Sequence, residues 1–311
     1  MLGAASLAAQ TARLPSVSLD GRDSVRVTDL AKAHGMNVSA SGRFVTLRSP
    51  SDSLVLEVDN REATLHGVKV WLNSAPTASR GKTLIGRMDV AKVIEPILAP
   101  SRNRSPAPVR TIVIDPGHGG RDQGGRSASG ILEKTVALDV AKRLRQILVQ
   151  KELTVTLTRE SDSTVSLDRR VRLANKRRAD LFVSLHFNAE PRGRTARGIE
   201  TYCLTPAGAA STATARALVA TLDGNRFDTR NMLLAFQVQR NLLSKTDAAD
   251  RGIRRARFFL LRYAECPAIL VEGGFLTHAS EAKLLATTAY RVRIVTGIAE
   301  GILAYKRVLE R

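Results

Sequence analysis

From Arg110 to the C-terminus, short β-branched runs alternate with longer segments of helical period. This alternation constrains the fold most, because strands separated by helices rejoin one sheet largely in parallel. Strand-like runs cover residues 111–115, 153–158, 181–186, 199–204 and 268–272. Helix-like runs cover 133–149, 167–177, a stretch through 216–222, 231–243 and 281–308. In the first of these, Val136, Val140, Leu144, Ile147 and Leu148 form an apolar stripe. Ser280 is placed to cap the last. The expected fold is α/β, with a mixed, mostly parallel twisted sheet flanked by helices.

A small β-rich domain is expected before it, over residues 16–98. Its runs are short and alternating, as in "GRFVTLRS" and "SLVLEV", with turn residues between them. Residues 99–109 read as a linker, with three prolines in "APSRNRSPAPVR". Residues 110–311 then form the second domain. The first 15 residues are apolar and rich in small side chains, and Ser6-Leu7-Ala8-Ala9 would suit a signal-peptidase site. They read as the remnant of an export signal, without its basic leader.

The formal net charge of +19 favours anionic partners, including acidic envelope polymer. Nucleic acid is not the expected one, because the basic residues are scattered and aromatics make up only 4%. No apolar run approaches the ~20 residues of a membrane span. Cys203 and Cys266 are far apart in sequence and form no CxxC, so they are expected to be buried free thiols.

The stretch "TIVIDPGHGGRDQGGRS", residues 111–127, is a strand running into a glycine loop. A dinucleotide loop requires G-x-G-x-x-G, but Asp122 stands at the third glycine's place. A phosphate loop requires lysine and an immediate helix; here Arg126 stands at the lysine position and "SASGI" intervenes. The glycines are better explained by room around His118. Three other groups share its placement at one edge of the sheet. His186 ends one apolar strand, Glu272 ends another in "PAILVEGG", and Glu133 opens the helix after the glycine loop. Two histidines and a carboxylate leave an open position on zinc, which lowers the pKa of water and polarises a carbonyl. Of the four candidates, three can bind metal and one can carry protons.

These motifs resemble the zinc-dependent N-acetylmuramoyl-L-alanine amidases, in order and spacing, from about residue 110 to 309. The resemblance rests on "IDPGHGGRDQG", "LEKTVALDVAKRL", "SLDRRVRLANKRRADLFVSLHFNA", "GIETYCL" and "AECPAILVEGGFLTH". It implies His118, Glu133 and His186 as Zn2+ ligands and Glu272 as the catalytic glutamate. It also implies peptidoglycan as substrate, cut between N-acetylmuramic acid and L-alanine, and an exported protein of the periplasm or envelope. Asp115 and Asn188 border the ligands and are candidates to support them. Within residues 206–247 some relatives carry a helix that covers the zinc until a protein activator withdraws it, and "STATARALVATLDGN" could form such a helix. The chain departs from the family at "EGGFLTH", where His278 is expected to face solvent. "GVKVWLNSAPTASRGKTLIGRMDVAKVI" resembles, more weakly, the N-terminal-like domain of copper amine oxidases. Such a module would target or space the enzyme on the wall; His34 and His66 within it read as satisfied or surface residues. Two rival readings are a wall-binding protein with weak or regulated hydrolase activity and a zinc peptidase cutting within the stem peptide.

Overall fold

The computed structural model describes residues 14–19, 21–104, 107–190, 195–212 and 217–310. Most of the segment read as an export remnant lies outside them. The chain divides into two compact units between Asn103 and Arg104.

The first unit comprises β1 (Val17–Leu19), β2 (Arg22–Arg26), α1 (Val27–Ala33), β3 (Asn37–Ser41), β4 (Phe44–Arg48), β5 (Ser53–Glu57), β6 (Glu62–Leu65), β7 (Val68–Trp71), β8 (Thr77–Ser79) and β9 (Lys82–Gly86). Strands β3 to β7 form an antiparallel meander. The β1-β2-β9-β8 sheet is also antiparallel. The β6–β7 hairpin turns on His66 and Gly67, at φ 47° and 80°. A two-residue type I′ hairpin turn has positive φ at both positions, which a glycine supplies without strain. A helical stretch over residues 87–98 follows, and Pro100–Asn103 form a 3-10 turn. His34 bonds Glu95 at 2.7 Å and His66 lies 3.5 Å from Asp52, so both are satisfied.

The second unit is α/β, as expected. Its strands are β10 (Thr111–Pro116), β11 (Thr154–Leu157), β12 (Leu181–Asn188), β13 (Ile199–Leu204), β14 (Asp250–Ala256) and β15 (Ala268–Phe275). They are ordered β11-β10-β12-β15-β13-β14. All pair in parallel except β13 with β15. Its α-helices are α2 (Glu133–Val149), α3 (Leu167–Lys176), α4 (Asp228–Thr246), α5 (Phe259–Tyr263), α6 (Ala279–Ala286) and α7 (Thr288–Glu310). Helix α7 packs against α2 and α4. Helices α3 and α5 bury Val171, Leu260 and Leu261 against Val113 and Phe182 of the sheet. Among the described residues no helix is long and apolar enough to cross a membrane. Cys203 and Cys266 are buried and free.

Three sequence expectations need correction. Residues 217–222 hold no helix, nor do 206–212, so the described part of "STATARALVATLDGN" supplies no covering helix; residues 213–216 lie outside the described residues. The backbone there bonds elsewhere: Gly208 donates to Leu218 and Thr212 to Arg255, at 2.7 and 2.9 Å. The last helical run is two helices, α6 and α7, separated at Thr287. Thr287 takes an extended backbone and its Oγ1 accepts from Tyr290 N–H, so a fresh N-cap starts α7. His278, not Ser280, stands at the N-cap of α6, and it is half-buried rather than solvent-facing.

Helices α4 and α7 approach closely at Gly297 and Gly301. A Cβ on Gly301 would lie 2.5 Å from Val238 Cα, and backbone cannot yield as a side chain does. Gly301→Ala is therefore expected to destabilise by about 1–3 kcal/mol, despite alanine's better helix propensity. Denaturant unfolding measures this, and an unchanged or raised midpoint would contradict the packing.

Candidate metal centre

The sheet face under α3 and α5 changes character along its strands. Side chains two apart share a face, so Phe182, Ser184 and His186 follow one another on β12. Register then sets rows across strands. Val113, Phe182 and Ala268 form an apolar row within the core. Asp115, Ser184, Leu270 and Tyr202 form the next row. Beyond it His186 pairs with Glu272, and Glu272 with Glu200. The ionisable row thus begins where the apolar core ends, at the carboxyl ends of β12 and β15.

His118 and Glu133 reach that row from the loop after β10 and from the first residue of α2. Glu133 Oε1 lies 3.0 Å from His118 Nε2 and 2.9 Å from His186 Nδ1. It also accepts from Phe187 N–H at 3.0 Å, while Oε2 accepts from Gly125 N–H at 2.7 Å. One ligand atom from each of His118, Glu133 and His186 falls within 4.8 Å of the others. Tetrahedral zinc with bonds near 2.1 Å would space its ligands about 3.4 Å apart. The donor set and its spacing therefore fit a small divalent metal. A cleft is lined by both imidazoles together with Thr164, Val165, Leu167 and Leu260.

The electrostatics follow from this crowding. Burial opposes ionisation of Glu133, but hydrogen bonds and charge from the two histidines outweigh it and hold its pKa far below the usual carboxylate range. Burial opposes charge on His118, yet Glu133 and Asp122 outweigh it and raise its pKa. Glu272 goes the other way: burial, then the charges of Glu133 and Glu200, push its pKa well up. Its Oε2 is buried without a hydrogen-bond partner among the described residues.

Asp115 and Asn188 make no hydrogen bond to any of the three side chains. Asp115 is buried and bonded to Arg170, Thr158 and Ser184. It acts at one remove, because Arg170 also donates to the carbonyls of Pro116 and His118, both at 2.6 Å. Asn188 donates to Glu200 at 2.8 Å, and Arg251 and Arg254 hold the other Glu200 oxygen. Sequence reasoning missed Asp122, whose carboxylate accepts from His118 Nδ1 at 2.9 Å and leaves Nε2 facing Glu133. Its i+4 spacing from His118 was the available signal. It also missed Arg159 and Arg170, which are buried. Arg159 donates to the carbonyls of Pro116, Gly117 and Lys134. Removing Asp115 would leave the Arg170 charge buried and uncompensated, a loss of about 3–5 kcal/mol.

The loop glycines make room for these groups. His118 itself lies at φ 58°, a left-handed conformation that costs a non-glycine residue about 1–3 kcal/mol and is retained by surrounding bonds. A Cβ on Gly117 would stand 2.4 Å from His186 Cε1, and one on Gly124 would stand 2.5 Å from Glu133 Oε2. Gly117→Ala is accordingly expected to weaken divalent-metal binding by about 10–100-fold, the loss typical of a disturbed metal-site shell. Metal titration of the folded variant tests this; wild-type affinity would show that His186 does not depend on the close approach.

Comparison with known proteins follows the same unit. Residues 112–304 match the family model Amidase_3, described as N-acetylmuramoyl-L-alanine amidase. LytC of Bacillus subtilis (strain 168) is 35% identical over 204 residues, 66% of this chain; the chain spans only 37% of LytC's length. AmiA of Escherichia coli (strain K12) is 33% identical over 223 residues, covering 63% of this chain and 76% of AmiA. Among solved structures, the amidase AmiC2 of Nostoc punctiforme superposes with a TM-score of 0.55 at 34% identity, over 64% of this chain and 97% of that one. The amidase of Clostridium difficile 630 gives a TM-score of 0.54 at 37% identity, again over 64% and 97%. The family match spans more than half of the chain, and the protein belongs to the N-acetylmuramoyl-L-alanine amidase family.

Proposed function

We propose that this protein hydrolyses the amide between the lactyl group of N-acetylmuramic acid and the L-alanine of the peptidoglycan stem peptide. The observation that carries the reading is the convergence of His118, Glu133 and His186, with Glu272 in register beside His186, in a chain of this family. His118, Glu133 and His186 would hold zinc, whose preference for nitrogen and oxygen donors matches them. Zinc bound there would supply Lewis acidity, polarising the lactyl carbonyl and making water a better nucleophile at neutral pH.

The protein's own part is positioning and proton transfer. Asp122 fixes the His118 tautomer, and Arg170 fixes its backbone. Glu272 is suited to exchange protons because its environment favours the neutral acid while Glu133 stays ionised. In its carboxylate form Glu272 takes a proton from the attacking water, becomes the neutral acid its surroundings favour, and delivers that proton to the alanine nitrogen as the C–N bond breaks. The protein acts in this reading outside the cytoplasm, in the periplasm or envelope. The net charge of +19 supports contact with acidic wall polymer. The first unit would target or space the enzyme there.

Glu272→Gln is expected to retain zinc and lose about 10²–10⁴-fold in hydrolysis. Digestion of purified sacculi, with products identified by mass, is the assay. Wild-type enzyme should release stem peptide with a free alanine amino group, and a chelator should stop it. Peptides cut internally would instead indicate a peptidase, and full activity of the variant would remove Glu272 from the reaction. Zinc affinity should also depend on pH. A raised His118 pKa keeps a proton at the metal-binding position to higher pH, so affinity should fall about tenfold per unit below that pKa. Zinc competition titrations between about pH 5 and 8 would show this, and a flat profile would contradict it.

A further inference from the structure

The row of ionisable side chains does not stop at Glu272. Glu200 pairs with it across β13 and β15 and is buried. Glu200 Oε1 accepts from Asn188 Nδ2 at 2.8 Å and from the Tyr202 hydroxyl at 3.0 Å. Oε2 accepts from Arg251 Nε at 3.0 Å and from Arg254 Nε at 2.9 Å. One guanidinium can neutralise a carboxylate by donating to both of its oxygens. Here two guanidiniums meet on one oxygen, while the other oxygen is taken by uncharged donors. The cluster thus brings two positive charges to one negative charge.

Two irregularities in the sheet seat this cluster beside the candidate metal group. Ile199 pairs with Asp250 but Glu200 with Gly252, so Arg251 is an inserted residue. Residues three apart on a regular strand point to opposite faces; the insertion lets Arg251 and Arg254 reach the same carboxylate. Such insertions re-aim side chains and gather beside active sites. The β12–β15 pairing shifts as well, from His186 with Glu272 to Asn188 with Phe275. The Arg251 guanidinium carbon lies 4.8 Å from the centre of the Phe275 ring. Asn188, two residues after His186, holds the other oxygen of Glu200. Both arginines therefore meet the site at the strand ends that carry His186 and Glu272. Their side chains remain 29% and 20% exposed, within reach of a ligand.

A surplus of guanidinium at this edge suits an anionic group of the substrate. The N-acetylmuramic acid ring beyond the lactyl group is uncharged, so the anion lies on the peptide side. The second stem residue, a glutamate linked through its side chain, keeps its α-carboxylate free. In an extended peptide that carboxylate lies about 7 Å from the scissile nitrogen, two residue lengths. Strands β12 and β13 are two strand spacings apart, about 10 Å, and the side chains reaching in from both ends cover the remainder. We propose that Arg251 and Arg254 form a subsite for the free α-carboxylate of the second stem residue, with Glu200 holding the pair in place. This rests on the amidase reading given above.

The test compares two muropeptides that differ only at this group, one with the free α-carboxylate and one with its carboxamide. Zinc-loaded wild-type enzyme should prefer the carboxylate by about 10–100-fold in kcat/KM, the usual worth of hydrogen bonds to a charged group. Arg254→Gln, which leaves Arg251 to hold Glu200, should lower that ratio at least about threefold, mainly through KM. Arg254→Lys should keep more of it, because the charge remains. A purely structural role would slow both substrates alike and leave the ratio unchanged. Calorimetric titration with L-alanyl-γ-D-glutamate and L-alanyl-D-isoglutamine repeats the comparison without turnover and should show the same order. Equal cleavage of the two muropeptides by wild type, or an unchanged ratio in Arg254→Gln, would overturn the proposal and leave the amidase reading standing. If wild type cleaves neither, the amidase reading fails, and this proposal with it.

Discussion

The register between β12 and β15 sets His186 beside Glu272, and the other groups are arranged around that pair. A shift of one residue would turn one of the two side chains to the opposite face of the sheet. The register is secured deeper in the same strands, where Phe182 pairs with Ala268 inside the core. Hydrophobic packing at one end of the strands thus fixes the chemistry at the other. His118 has no such support, because it sits in a loop at positive φ. Its place depends on buried arginines that hold the loop by its carbonyl oxygens.

Those arginines also shape the balance of charge. Arg170 is neutralised by Asp115, and Arg159 spends its donors on backbone oxygens. Neither competes with the imidazoles for Glu133. That leaves Glu133 ionised between two histidines and Glu272 confined near further carboxylates, with opposite consequences for their pKa values. Two carboxyl groups pushed apart in this way have different uses, one as a metal-binding anion and one as a proton carrier. The division of roles proposed for them follows from the environments and needs no difference in residue type.

Much of the second unit was legible because its strands are apolar runs ending in distinctive residues. His118, Glu133 and His186 each stood at the boundary of an element, and the structure brings those three together. What the sequence concealed lay in charged or ambiguous segments. Strand β14 reads as "DRGIRRA", with no alternation to mark it, because Arg255 is fully buried and its guanidinium donates to the Leu204 carbonyl. The alanine-rich stretch near 217–222 has helical composition, but neighbouring backbone takes up its hydrogen bonds. The break at Thr287 was hidden by continuous helical periodicity across it. Arg170 sits in a run of charges on an amphipathic helix, where solvent is the ordinary expectation. In each case tertiary partners decided against the local pattern.

The central claim is that a glycine loop, a helix start and a strand end share one zinc ion. Diffraction from crystals of the zinc-loaded protein, recorded on both sides of the zinc absorption edge, tests it directly. An anomalous peak is expected at bonding distance, about 2.0–2.2 Å, from His118, Glu133 and His186 together, with Glu272 outside the coordination sphere. A peak lacking one of those three ligands, or one coordinated by Glu272, would contradict it.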